Sequence, residues 1–184
     1  MLLQTERLIL REFEPGDWPD VLAYQSDPLY LRYYPSDSPT PDGVRAFVRM
    51  FVDWRREQPR TRFQLAVVLR SEQRLIGTCG IRVNDTQLRE ANIGYELDSR
   101  CWNRGYATEA ARAIVAFGFE TLRLHRIWSW CVAENAGSAR VLEKVGMRRE
   151  GCLREKEYFK GRWHDHLLYG ILDREWQDPK GSQS

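Results

Sequence analysis

YELDSRCWNRGYATEAARAIVA, residues 95–116, is the stretch on which the fold turns. A strand closes at Tyr95, Glu96 and Leu97, a short polar loop follows, and a helix opens at Ala107-Thr108-Glu109-Ala110-Ala111 with Gly105 just before it. The first amides of a helix have no partner within it and carry partial positive charge, so this junction is a ready anion site, above all for phosphate. Gly105 and Ala107 lack bulk, which lets a pyrophosphate approach the amides of Asn103, Arg104, Gly105, Tyr106, Ala107 and Thr108. The Arg104 side chain offers a charge-assisted contact. An ordinary strand-to-helix turn with a convenient glycine is the competing reading. Neither a G-x-x-x-x-G-K-[ST] loop nor a G-x-G-x-x-G fingerprint occurs in the chain.

Working outward, the hydrophobic period alternates between 2 and 3.6. Leu8, Ile9 and Leu10 open a strand, and Pro15-Gly16-Asp17 breaks it. A helix capped by Asp17 runs through Trp18, Val21 and Leu22 until Asp27-Pro28. A Pro- and Ser-rich loop then leads to an amphipathic helix carrying Val44, Phe47, Val48, Phe51 and Trp54. Three alternating segments follow at 63–69, 75–83 and 91–97, joined by connections short enough for an antiparallel meander. Beyond a helix at about 107–122, the chain offers a strand at 127–132, a short helix near 136–145 and a final hairpin turning at Gly161. The order predicts an α/β (α+β) domain with a mixed, mostly antiparallel central sheet of about seven strands flanked by about four helices.

A chain of 184 residues, 42% of them hydrophobic, can bury a core without staples. One domain over 1–177 and a polar C-terminal tail over 178–184 are expected. Basic and acidic residues interleave to a net charge of +2 with no basic stripe, which argues against a nucleic-acid partner. The N-terminus is interrupted by Gln4, Glu6 and Arg7, so it does not read as a signal peptide, and no apolar run approaches the ~18 residues of a membrane span. A cytoplasmic protein without a membrane partner is the expectation. Cys79, Cys101, Cys131 and Cys152 are widely spaced and read as reduced thiols, the three within predicted strands (Cys79, Cys131 and Cys152) as small core residues. His164 and His166 share a strand face, but no third ligand stands at metal-like spacing, so no metal is expected.

A second constellation runs from Cys131 to Met147. Asn135 sits at an N-cap position and Gly146 where a C-terminal glycine belongs, which describes a well-capped short helix and leaves Ser138 unassigned. Four segments in order now carry a resemblance: Thr5-Glu6-Arg7-Leu8-Ile9-Leu10-Arg11, Ile93-Gly94-Tyr95-Glu96-Leu97, Trp102 through Ala110, and Asn135-x-x-Ser138 leading to Glu143-Lys144-Val145-Gly146-Met147. Together they resemble the GNAT superfamily of N-acetyltransferases, in its RimJ/RimL-type branch, over nearly the whole chain.

The resemblance implies acetyl-CoA as cosubstrate and no metal. The R/Q-x-x-G-x-G/A loop that binds the coenzyme A pyrophosphate in the family reads Trp102-x-x-Gly105-x-Ala107 here; tryptophan at the first position removes one side-chain phosphate contact and reads as packing. Family strands splay beside this loop and admit the pantetheine arm, which places it along Tyr95, Glu96 and Leu97 with a backbone N–H there as oxyanion donor and Asn135 on the other side. Arg140 and Lys144 either reach the nucleotide phosphates or are solvated helix charges. A tyrosine that many members use to protonate the leaving thiolate corresponds to Leu142; the branch's serine corresponds to Ser138, which is assigned as the acid. The branch's glutamate base aligns best with Glu157, and because a strand's period of 2 gives Glu155 the same face, Glu155 stays a contender and a substrate contact. The loop Tyr33-Tyr34-Pro35-Ser36-Asp37-Ser38 is the natural lid, with Tyr33 and Tyr34 packing the amine. The acceptor is read as a primary amine, by preference a protein N-terminal α-amine, against a polyamine or antibiotic. A non-catalytic acyl-CoA-binding module and a ligand-free interaction domain are the rivals. The family's habit of pairing adds a homodimer, for which Trp128, Trp130 and Trp163 are candidate contacts.

Overall fold

In the computed structural model, which describes residues 1–35 and 38–176, eight strands form one sheet in the order β1-β2-β3-β4-β5-β6-β8-β7. The strands are β1 (Leu2–Gln4), β2 (Leu8–Glu12), β3 (Arg62–Leu69), β4 (Arg74–Asp85), β5 (Glu90–Leu97), β6 (Arg126–Val132), β7 (Arg148–Phe159) and β8 (Arg162–Leu172). All neighbours are antiparallel except β5 and β6. The helices are α1 (Trp18–Gln25), α2 (Pro28–Leu31), α3 (Pro41–Trp54), α4 (Tyr106–Ala116) and α5 (Ala136–Val145). Strand β1 and helix α2 add to the elements read from periodicity, being too short to display a period. At α2, Asp27-Pro28 both stops α1 and starts the next turn: the Asp27 side chain accepts the Leu29 amide and Pro28 takes a first-turn position where its missing N–H costs nothing. Helix α3 likewise begins at Pro41, ahead of its apolar stripe, because Thr40 caps it by accepting the Gly43 amide at 3.1 Å.

The central strands bury both faces, so two cores form. Leu65, Val67, Ile81 and Ile93 pack with Ile114 and Val115 of α4 and Leu142 and Val145 of α5 on one side. Ala66, Val68 and Leu75 pack with Val21, Val44, Val48 and Phe51 of α1 and α3 on the other. The second layer covers only the β2–β5 half. Among the described residues no helix covers Trp128 and Trp130 of β6, which line an open cavity of about 460 Å³ with Leu168 and His166. Trp163 leaves β8 on the face opposite His164 and His166, where it packs against Tyr158, so it does not share a surface with the other two tryptophans. Edge strand β7 is mostly exposed and charged, which discourages pairing with other chains. Cys79 and Cys131 are buried free thiols as expected and Cys101 is buried as well, whereas Cys152, expected in the core, is exposed on edge strand β7. Among the described residues, no helix is long and apolar enough to cross a membrane. Ser36, Asp37 and the tail at 178–184 lie outside the described residues.

Candidate active site

The site begins where two parallel strands part. Strand β5 is paired with β4 along its length but meets β6 only through Glu90–Asn92 against Arg126–Trp128. At the point of parting, the buried Ser129 hydroxyl donates to the Ile93 carbonyl at 2.9 Å, replacing a ladder bond. Further along, the Leu97 carbonyl accepts the Trp102 indole N–H at 2.9 Å. Trp102 thus does more than pack: it closes one end of the strand edge. Ile93 and Leu97 direct these groups away from β4, and strand alternation gives Tyr95 the same direction, so its amide and carbonyl face the gap. On the β4 side the backbone approach is tight, since a Cβ on Gly77 would stand 2.2 Å from the Glu96 carbonyl oxygen.

The gap leads to the start of α4. Asn103 and Gly105 both adopt left-handed backbone, with φ of 59° and 82°. Such a sequence of conformations turns successive amides to one side. Gly105 is the N-cap and supplies no capping side chain, so the helix start is open to an anion. Two clamps hold the loop. Buried Asp98 accepts the Arg100 amide at 3.0 Å and pairs with Arg100 at 2.7 Å and Arg74 at 3.2 Å. On the other flank Glu109 accepts the Thr5 hydroxyl at 2.6 Å, the Arg7 amide at 2.9 Å and the Arg7 Nε at 2.7 Å. Arg7 continues to the Arg104 carbonyl at 2.9 Å and lies 4.6 Å over the Tyr106 ring. Burial pushes the Glu109 carboxyl up, but the donors from Thr5 and Arg7 outweigh it and hold it below the usual range. This pairing of the first quoted segment with the third was not visible in sequence; its only signal was an acidic residue in a first helical turn.

Across the gap stands α5. Asn135 caps it by accepting the Ser138 amide at 3.0 Å, so the carbonyl end of its carboxamide is committed to the helix. The Tyr95 hydroxyl lies 2.9 Å from Ser138 Oγ and 3.0 Å from the Ser138 carbonyl, spanning the splay. Burial pushes the Tyr95 hydroxyl upward, with Ser138 opposing. Leu142, one turn on, is fully buried in the core. Arg140 and Lys144 lie on the exposed side of α5, and Arg112 ties α4 to the Lys144 carbonyl at 2.6 Å.

The opposite face of the splay carries the remaining candidates. Tyr33 donates to the Glu134 carbonyl at 3.1 Å and Lys160 to the Leu31 carbonyl at 2.6 Å, strapping the β6–α5 loop and the β7–β8 hairpin to the α2 region. Tyr34 stacks on Tyr30 at 4.5 Å and lines a cavity of about 420 Å³. Glu157 is hydrogen-bonded to His166 at 3.1 Å, and His166 stacks on Trp130 at 4.2 Å. Because β8 lies between β7 and β6, Glu157 stands two strands from β6, with His166 on the intervening strand. Glu155 departs from the expected alternation. A bulge between Leu153 and Glu157 puts Glu155 at φ 50°, where its amide bonds to Asp165 at 2.8 Å, so the two glutamates are not related by a regular period of 2. His164 is buried against Phe159 and beside Glu134. Among the described residues no cluster of three or more His, Cys, Asp or Glu is arranged to hold a metal.

A mostly antiparallel sheet parted beside an uncapped helix start, with a hydroxyl at the parting, defines the class of acyl-CoA-dependent N-acetyltransferases. The chain belongs to the GNAT acetyltransferases: residues 7–148 match the acetyltransferase (GNAT) domain. It is 36% identical over 176 residues to an uncharacterized N-acetyltransferase, YnaD, of Bacillus subtilis (strain 168), covering 96% of this chain and 99% of that one. It is 23% identical over 180 residues to the ribosomal protein uS5-alanine N-acetyltransferase of Escherichia coli (strain K12), covering 95% and 92% of the two chains. Among solved structures, a GNAT-family acetyltransferase from Bacillus anthracis superposes with a TM-score of 0.83 at 34% identity, over 95% of this chain and 100% of that one.

Proposed function

We propose that the protein transfers the acetyl group of acetyl-CoA to a primary amine by direct attack on the thioester, and that the acceptor is a protein N-terminal α-amine. The observation that carries the reaction is the splay between β5 and β6, which connects the open start of α4 with Ser138 on one face and a tyrosine-walled cavity on the other. Amides of residues 103–108, with the Arg104 side chain, grip the pyrophosphate. Arg140 and Lys144 serve the nucleotide phosphates. The arm lies along Tyr95, Glu96 and Leu97, with Asn135 opposite, and the outward Tyr95 amide polarises the thioester carbonyl.

In the transfer step the nitrogen–carbon bond forms and the carbon–sulfur bond breaks. The proton shed by nitrogen goes to Glu157 through His166, its hydrogen-bond partner. The thiolate takes a proton from Ser138, next to which the Tyr95 hydroxyl stands at 2.9 Å. No metal enters this scheme. The protein acceptor is supported by the uS5-alanine enzyme among the relatives and by acidic residues dispersed along the chain, where a polyamine site would concentrate them. A small-molecule amine is the second reading, favoured by the cavity of about 420 Å³ lined by residues of α1–α3 and by Glu96 of β5. The working location is the cytoplasm, and a homodimer is proposed through the helix-free face around Trp128 and Trp130, to be checked by light scattering. The reaction is tested by thiol release from acetyl-CoA across a panel of peptides with free N-termini, polyamines and aminoglycosides. Turnover confined to peptides supports the acceptor proposed; turnover confined to small amines replaces it with the second reading, and absence of any thiol release defeats both.

A further inference from the structure

The scheme above leaves one charged group inside the site unused, the side chain of Glu96. Tyr95 and Glu96 are successive residues of a strand, so they leave opposite faces at the same point of the splay. Tyr95 goes to α5, where it meets Ser138. Glu96 goes to the other side and forms part of the cavity walled by Tyr30, Tyr34, Phe47 and Gln25. The Tyr24 hydroxyl and the Gln25 amide both donate to Glu96 Oε2, at 3.1 and 3.2 Å. These donors fix the carboxylate but bring no positive charge. A cation that acts on it electrostatically from within the fold is Arg82 of β4, whose guanidinium is hydrogen-bonded to Gln64 at 2.7 Å. Burial pushes the Glu96 carboxyl above its usual range, against Gln25, Tyr30, Tyr24 and Arg82.

A carboxylate among aromatic rings, hydrogen-bonded to the neutral donors Tyr24 and Gln25 while Arg82 is hydrogen-bonded to Gln64, is a good place for an alkylammonium ion. The ammonium supplies a direct counter-charge, and its hydrocarbon packs on the tyrosine faces. Primary amines are also mostly protonated near neutrality, so the form available to be captured is the cation. We infer that Glu96 and the tyrosine pocket receive the acceptor as its primary ammonium ion, with the adjoining hydrocarbon against the tyrosines, before the proton leaves for the base. This rests on the acetyl-transfer reading and deepens it: it assigns the residue that binds the acceptor nitrogen, while proton removal stays with Glu157.

The test is Glu96→Gln in the full chain, a change that preserves shape and removes a charge which burial penalises, so the fold is retained. With acetyl-CoA and either n-butylamine or an alanine-initiated tripeptide amide, KM for the amine should rise about tenfold or more, the loss of one charge-assisted contact, with kcat within about threefold of wild type. Glu96→Asp, which keeps the charge and shortens its reach, should fall between the two. A permanent cation that cannot be acetylated, n-butyltrimethylammonium, should compete with the amine in the wild type and bind at least about tenfold more weakly to Glu96→Gln. Titration calorimetry with that cation reads the inference without turnover, so an inactive enzyme would sink the acetyl-transfer reading separately. A fall in kcat at unchanged KM, or equal affinity of both proteins for n-butyltrimethylammonium, would overturn the assignment.

Discussion

Ser138 makes a weak acid if taken alone, because a serine hydroxyl gives up its proton only when another group replaces it. The Tyr95 hydroxyl at 2.9 Å is placed to do so. Ser138→Ala should therefore lower kcat by about 10²-fold, the low end for loss of a positioned proton donor, with acetyl-CoA affinity unchanged by calorimetry. Unchanged turnover in that variant would remove Ser138 from the chemistry. The caps beside it were legible in sequence because capping is local, whereas Ser138 was singled out only by the family resemblance. Asn135, Ser138 and Gly146 belong to one short helix, and Gly105 stands at its own turn. Glu155 was not legible. Its position depends on a bulge whose extra residues leave no mark on hydrophobic period, and the Asp165 carboxylate that holds its amide lies on the neighbouring strand.

At the scale of elements, the start of α4 and the edge of β5 act together. Gly105 at φ 82° occupies backbone space that a side chain enters only under strain, and bulk there would stand in the way of phosphate. Gly105→Val should cost about 1–2 kcal/mol of stability from the left-handed conformation and weaken acetyl-CoA binding by at least about tenfold, as measured by urea unfolding and calorimetry. Retained affinity would move the phosphate site elsewhere. The long elements were readable because each has a clear period and recognisable ends. Strand β1 has three residues and α2 has four, less than the window over which a period declares itself. The predicted helix at 107–122 divides into α4 and a π-helical turn over Phe117–Thr121, a change in hydrogen bonding that apolar spacing does not report.

For the whole molecule, the decisive contacts join the connection between the first two strands to the middle of the chain. Glu109 joins α4 to Thr5 and Arg7 over more than a hundred residues of sequence, and its carboxyl is held below its usual range. A depressed carboxyl stabilises the fold above its ordinary pKa, and that stability is lost as pH falls through the folded-state value. Glu109→Gln should cost about 2 kcal/mol near neutrality and flatten the loss of stability between about pH 5 and pH 3, read from urea unfolding at each pH. An acid limb as steep as that of the wild type would detach Glu109 from the pH dependence.

What the sequence determined by itself was the class of sheet, the order of its main elements, the glycine turn before α4 and the family, because strand and helix periods, caps and short motifs are written within a few neighbouring residues. What only the tertiary structure decided was which of these pieces face one another. The parting of β5 from β6 at Ser129, the Tyr95–Ser138 contact across it, the Thr5–Arg7–Glu109 clamp and the tyrosine box around Glu96 all join residues from different strands and helices. Such contacts follow from packing two helical layers on a twisted sheet, and no local pattern encodes the distance between side chains so far apart along the chain.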